Sequence, residues 1–475
     1  MDPAETGFRR ILGLTDATAL VAGAMIGSGI FLVSTDIALQ VGAPGWLLVV
    51  WIATGLLTVA GSLCYGELGG LFPHAGGQYV YLREAWSPLA GFLYGWTLFG
   101  VIQSGSIAAV GMAFAKYLGV ILPGVSSTAW IVHLGDLHLG SHVLPVGIHT
   151  VQAVAIAVIA LLTAVNALGV RAGTWVQNLS TSAKVLGLLG IILAGLLLGR
   201  PDGALREITF WTAHGPTGSP LDARDLLLAV PVAMVGALFA ADAWNNVTFV
   251  AGELKDPRRD LGRSLVLGSG LVVVLYLLVN LAYLNVLPMP DVAAAAEGRV
   301  AAAAMSRLSP FGGLAVAVVV MISTFGCLNA MILSTPRVLW AMARDGLFFR
   351  SAGVLAPRSR VPVRALWLQG AWSAVLTLTG TYTDLLDYVI FATLLFYVLT
   401  VLGLFALRRR LPHAHRPHRT WGYPWLPALY VLGASFVAVV LLLEKPLYTW
   451  PGLVIVATGV PVYLLWRRFG RSESA

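Results

Sequence analysis

The sequence predicts an all-α polytopic membrane protein of twelve transmembrane helices, and three observations carry that prediction. The 475-residue chain is 58% hydrophobic and only 11% charged, with a mean hydropathy of +0.82. So few polar residues cannot cover a soluble protein of this size. Apolar runs of about 20 residues, enough to cross a bilayer as helices, begin near residues 15, 45, 88, 149, 177, 226, 261, 311, 364, 384, 424 and 450. The runs are continuous instead of alternating over roughly ten residues, which argues against a transmembrane barrel. No soluble domain of useful size remains between them.

The first run contains "VAGAMIGSGIFL" (21–32), in which Gly23, Gly27 and Gly29 surround Ser28. Glycine is the poorest helix former after proline, and lipid requires every backbone group to be paired internally. Gly23 and Gly27 could form a small-residue packing face, but this leaves Ser28 and Gly29 unexplained. The stretch lacks the Lys-Ser/Thr tail of a phosphate loop and follows no strand, so it does not read as a nucleotide site. Arg9, Arg10 and the Ala22-Gly23-Ala24 triplet imitate a signal peptide. Thr15 and Asp16 interrupt its apolar core, and the hydrophobic run continues past the triplet, so the span is expected to be retained.

Transporters are often built from two inverted repeats whose first helices are broken at the bilayer midplane. Five helices per repeat would place the second break in the sixth run, which reads "LAVPVAMVGALFAADAWNNVTFVAGE" (228–253). Pro231, Gly236, Asp242, Asn245 and Asn246 interrupt it. A carboxylate midway along a span needs a cavity or a partner. Unwound segments in both runs are therefore expected, with repeats over 1–200 and 201–410 and two further helices in 411–475.

Facing breaks would make a dipolar site. The half-helix starting near Ser28 to Ile30 presents unpaired N–H groups and a positive dipole end, suited to a carboxylate. Carbonyls at Met25 and Ile26, and at Phe239 and Ala240 where the other half-helix ends, suit an ammonium group. Together they match the zwitterion common to α-amino acids.

The net charge of +8 follows the positive-inside pattern. With both termini cytoplasmic, most Lys and Arg fall on the inner side, including Arg258, Arg259, Arg263, Arg358, Arg360 and Arg408 to Arg410. The basic loops then read as topology signals, with no nucleic-acid partner. Cys64 and Cys327 lie inside spans and read as core residues. His133, His138, His142 and His149, and the inner "HAHRPH", lack ligand-spaced cysteine or carboxylate and read as loop residues. No metal or cofactor is implied.

Four strings in order resemble the amino acid-polyamine-organocation transporters, in particular the L-type amino acid transporter branch in its bacterial form. They are "GAMIGSGIF", "FPHAGGQYVYLREAWSPLAGFLYGW" (72–96), "FAADAWNNVTFVAGELKDPRRDL" (239–261) and "STFGCLNAMILSTPRVLWAMARDG" (323–346). The resemblance covers nearly the whole chain. It implies the inverted five-helix repeats plus two helices, and alternating access. It also implies a substrate carboxylate on Gly27, Ser28 and Gly29, and an amino group on the carbonyls of Met25, Phe239 and Asp242. Phe239 would gate the substrate, and Asn245 would hold the broken segment.

Lys184, the lone lysine well inside a span, would stand where sodium-driven relatives hold a cation, between the helix 1 break and Ser323 of helix 8. A snorkelling lysine is the alternative. A fixed charge would suit sodium-independent exchange; a titrating one would permit proton symport. Where the branch commonly has Tyr-Asp-Gly-Trp, this chain has Ala241-Asp242-Ala243-Trp244. Asp242 would either hold the unwound segment or favour cationic side chains. The alanine-rich segment 291–308 resembles an outer vestibule helix, and also reads as a plain surface helix. The outer loop 119–148 has no cysteine, so no disulfide-linked heavy chain is expected. The function implied is sodium-independent exchange of neutral, and also cationic, L-amino acids across the plasma membrane. A proton-coupled symporter and a non-transporting receptor are the alternatives. An enzyme would need a catalytic pair at membrane depth, which the spans do not suggest.

Overall fold

The computed structural model describes residues 8–139, 142–378 and 382–469. The first run is two helices, α1 (Leu14–Met25) and α2 (Gly29–Val41), bent by 40° across the break between them. Then follow α3 (Pro44–Leu71), the short α4 (Gln78–Ala85) and α5 (Pro88–Ile121), which carries a π-helical turn at Leu98–Ile102. A hairpin of β1 (Trp130–Leu139) and antiparallel β2 (His142–His149) leads into α6 (Thr150–Leu168) and α7 (Val170–Leu197). The sixth run is α8 (Ala223–Ala240), an irregular stretch, and one turn, α9 (Asn246–Phe249). The remainder comprises α10 (Pro257–Val286), α11 (Met289–Ala293), α12 (Val300–Leu308), α13 (Gly312–Ser334) and α14 (Pro336–Arg344). It closes with α15 (Val363–Thr377), α16 (Tyr382–Arg410), α17 (Trp425–Glu444) and α18 (Pro446–Phe469).

Among the described residues ten helices are long and apolar enough to cross a membrane, and the bent α1–α2 pair makes eleven. The ninth expected span, α15, has 15 helical residues, short of a full crossing. The fold is all-α and polytopic. The hairpin is its one departure from the expected outer loop, and Trp130 there packs on His133 and His149 at ring distances of 4.6 and 3.7 Å. His138 and His142 fall on its strands, and their side chains lie outside the described residues. Leu56, Leu186, Leu429, Leu432 and Leu443 stay exposed on the long helices, as expected where the solvent is lipid.

In the bundle α10 packs against α1, α3 and α7, while α13 packs against α1, α5, α6 and α7. Small residues set these approaches: a Cβ on Gly66 of α3 would lie 3.2 Å from the backbone of Gly262 in α10. The fifth run starts earlier than its apolar stretch suggests, at Val170, because Gly169 at φ 141° ends α6 and turns the chain. Lys184 consequently sits midway along α7, about 21 Å from its start by helix rise. Cys64 and Cys327 are both buried.

Two ion pairs on fully buried carboxylates tie distant segments of the bundle together. Glu67 of α3 accepts from Arg408 Nε and Nη2 at 2.8 and 2.6 Å and from the Thr420 amide at 2.7 Å. Arg337 of α14 donates to Glu253 at 2.9 Å, with the two side chains 1% and 0% exposed. The Glu253 carbonyl accepts the amides of Ile11 and Leu12, both at 3.0 Å, and Phe8 packs edge-on to Trp340 at 4.7 Å. This strap ties the chain before α1 to the segment after α9. Removing one member of a buried pair costs about 3–5 kcal/mol, whereas replacing both is close to neutral. Arg337→Met should thus lower the melting temperature in detergent by several degrees, and Glu253→Leu combined with Arg337→Met, which leaves no unpaired polar group, should recover most of the loss.

Candidate functional site

The break in the first helix begins with local backbone geometry. Ile26 (φ −73°, ψ 87°) makes a γ-turn, with Gly27 N–H donating to Met25 C=O at 2.8 Å. The turn stops the helical ladder and strands the last carbonyls of α1, which lipid cannot satisfy.

Side chains from three other helices take them up. Lys184 Nζ donates to Gly23 O and Ile26 O, each at 2.8 Å. Ser323 Oγ of α13 lies 3.0 Å from Ile26 O and 3.1 Å from Gly27 O. Cys327 Sγ lies 3.0 Å from Ala24 O. The Tyr276 hydroxyl of α10 lies 2.9 Å from Met25 O and 3.0 Å from Ala240 O, one hydrogen shared between the two breaks. Lys184 is wholly buried, so it does not snorkel. Gly326 makes room for it, since a Cβ there would meet Lys184 Nζ at 3.2 Å and Ser180 Cβ at 2.5 Å. Lys184 and Ser323 do not bond to each other in this arrangement; they share the Ile26 carbonyl.

Across the gap, α8 ends at Ala240, and Phe239 O accepts the Asp242 amide at 3.2 Å. The first turn of α2 is pressed onto that end. A Cβ at Gly29 would fall 2.5 Å from Ala240 Cβ and 2.8 Å from its Cα, and one at Gly27 would reach Cys327 Sγ at 3.1 Å. The glycines thus serve close approach as well as the break. Met25, Ile26, Ser28, Gly29, Phe239 and Ala240 are all buried.

The irregular stretch after α8 carries its own supports. Ala243 takes φ 64°, a left-handed conformation that costs alanine about 1–2 kcal/mol; glycine would avoid this cost, and backbone strain of this kind gathers at functional sites. Asp242 Oδ1 accepts the Tyr397 hydroxyl of α16 at 2.6 Å. Tyr65, Trp244 and Tyr397 form an aromatic wall with ring distances of 4.7 Å (Tyr65–Trp244), 5.8 Å (Tyr65–Tyr397) and 5.2 Å (Trp244–Tyr397). Behind Asp242 a cavity of about 20 Å³, bounded by Thr58, Tyr397 and Tyr430 among others, is large enough for one water. Asn245 Nδ2 donates to Gln78 Oε1 at 2.9 Å, and Gln78 Nε2 donates to Thr400 at 3.0 Å. The second break is thereby fastened to α4 and α16.

The structure brings Met25 to Gly29, Phe239, Ala240, Lys184 and Ser323 into one cluster, with Asp242 and Asn245 on its flank. Reasoning from sequence missed Tyr276, Tyr397, Gln78 and the contact made by Cys327. A tyrosine in an apolar run carries little signal by itself. Gln78 had one, because it directly follows Gly76 and Gly77, at φ 106° and 45°, in a string already singled out.

A polytopic helical bundle with two facing breaks, stranded carbonyls and a buried ammonium defines a membrane transporter of the broken-helix class, with a site for small polar solutes. Comparison with known proteins gives the particular family. The chain belongs to the amino acid permease family, whose model matches residues 12–465. It is 30% identical over 417 residues to the b(0,+)-type amino acid transporter 1 of Oryctolagus cuniculus, covering 88% of this chain and 80% of that protein. It is equally identical to the Asc-type amino acid transporter 1 of Mus musculus, covering 97% and 82%, and to the large neutral amino acids transporter small subunit 2 of Homo sapiens, covering 96% and 80%. The protein is an amino acid transporter and not an enzyme.

Two substitutions probe the cluster. Gly29→Ala drives a methyl group into Ala240 and should reduce substrate affinity more than about tenfold in a binding assay, a change worth over 1.4 kcal/mol. Gly190→Ala, where a Cβ meets nothing within 4 Å, should leave affinity unchanged. Tyr276→Phe removes the hydroxyl joining the breaks; at about 0.5–1.5 kcal/mol per hydrogen bond, KM for uptake should rise roughly three- to tenfold while the protein stays folded.

Proposed function

We propose that the protein is a sodium-independent exchanger of L-amino acids that works by alternating access. The observation that carries this reading is the placement of the Lys184 ammonium on the Gly23 and Ile26 carbonyls. A cation bound there would need those oxygens, and a covalently attached charge already occupies them. The N-terminal end of α2 supplies N–H groups for the substrate carboxylate at Ser28 and Gly29, while the Gly27 N–H is already bonded to Met25 O. The Phe239 and Ala240 carbonyls serve the ammonium group in this reading, while Met25 O and Ile26 O each already accept two donors. Phe239 stands at the end of α8 as the gate.

Neutral substrates come first in this reading, because the Asp242 carboxylate already has Tyr397 as a partner. A cationic side chain is admitted where it displaces that hydroxyl. The repeats run over 1–200 and 201–410, with the irregular segments 199–222 and 411–424 between the long helices supporting both boundaries. The positive-inside pattern supports a plasma (inner) membrane location with both termini cytoplasmic. The burial of both cysteines supports a protein working without a disulfide-linked heavy chain.

The test is uptake of labelled amino acids into sodium-free proteoliposomes, with and without internal unlabelled substrate, and with an imposed proton gradient. Exchange predicts that internal substrate accelerates uptake at least tenfold and that sodium changes nothing. Concentrative uptake into empty vesicles, driven by the proton gradient, would replace exchange with symport. Binding without any flux would make the protein a receptor.

A further inference from the structure

Two asparagines stand side by side in the second break, and the structure uses them differently. Asn245 is bonded to Gln78. Asn246, the first residue of α9, is 1% exposed, and neither Nδ2 nor Oδ1 of its carboxamide has a hydrogen-bond partner among the described residues. The turn it begins packs against α1 and α13, the helices that carry the first break and Ser323. A buried amide without a protein partner costs about 1–3 kcal/mol, and buried polar groups are otherwise almost always paired. Gln369 of α15 carries the same unpartnered carboxamide, but Asn246 lies in the turn packed against the first break and the helix of Ser323, and that placement makes its amide the ligand contact.

We infer that Asn246 is a further substrate-contacting residue, which recognises amino acids whose own side chain offers a hydroxyl or a carboxamide. The inference rests on the transport reading above and extends it to substrate class. The break termini serve the ammonium and carboxylate common to all amino acids, so they cannot discriminate among side chains. A carboxamide has a donor and an acceptor a short distance apart, the pair needed to engage a hydroxyl or another amide. Sites built to hydrogen-bond a polar group discriminate more strongly than apolar pockets, because the wrong substrate leaves that group unpaired.

The test is counterflow in proteoliposomes containing the full chain, comparing L-serine and L-asparagine with L-leucine for wild type, Asn246→Leu and Asn246→Ala. Melting curves in detergent would establish that each variant is folded. The serine-to-leucine ratio of kcat/KM is expected to fall about five- to tenfold in both variants, with leucine uptake retained or raised. Uptake by wild type with a ratio unchanged in either folded variant would overturn the contact and leave the amide as a site for bound water. Absence of uptake of any amino acid by wild type would instead overturn the transport reading, and this inference with it.

Discussion

The structure depends on one constraint: backbone carbonyls released inside a membrane helix must find donors from the protein. The γ-turn at Ile26 frees the end of α1, and Lys184, Ser323, Cys327 and Tyr276 together occupy the carbonyls from Gly23 to Gly27. Each donor arrives from a different position on α7, α10 or α13, so the break determines how those helices surround it. The ammonium does more than satisfy oxygen atoms. It neutralises the negative end of α1 at a depth where an unpaired charge would be costly.

The second break is held by a different device. Asp242 and Asn245, on either side of the strained Ala243, are bonded to Tyr397 and Gln78. Tyr276 touches both breaks, through Met25 and Ala240. The strap between Leu12 and Glu253 adds a backbone contact between the chain before the first break and the segment after the second.

Much of this was legible in the amino-acid order. The apolar runs specify helices because lipid leaves the backbone no other way to pair its groups, and Gly27-Ser28-Gly29 marks a break because no packing role accounts for all three residues. Lys184 was conspicuous for the same reason, as a charge at membrane depth. The hairpin at Trp130 to His149 was not legible, since short alternating segments outside the bilayer resemble ordinary loop. Neither was the short length of α15, which ends at Thr377.

The sequence by itself determined the helices, the two interruptions and the lysine at membrane depth, because each follows from local pairing and solvation rules. Only the tertiary structure decided who satisfies whom: that Ser323 and Lys184 share the Ile26 carbonyl, that Tyr276 spans both breaks, and that Asn245 is bonded while Asn246 is not. Those assignments depend on which helix faces meet across 36 to 297 residues of chain, and hydrogen bonds with a reach of about 3 Å leave no trace of such distant partners in any local stretch of sequence.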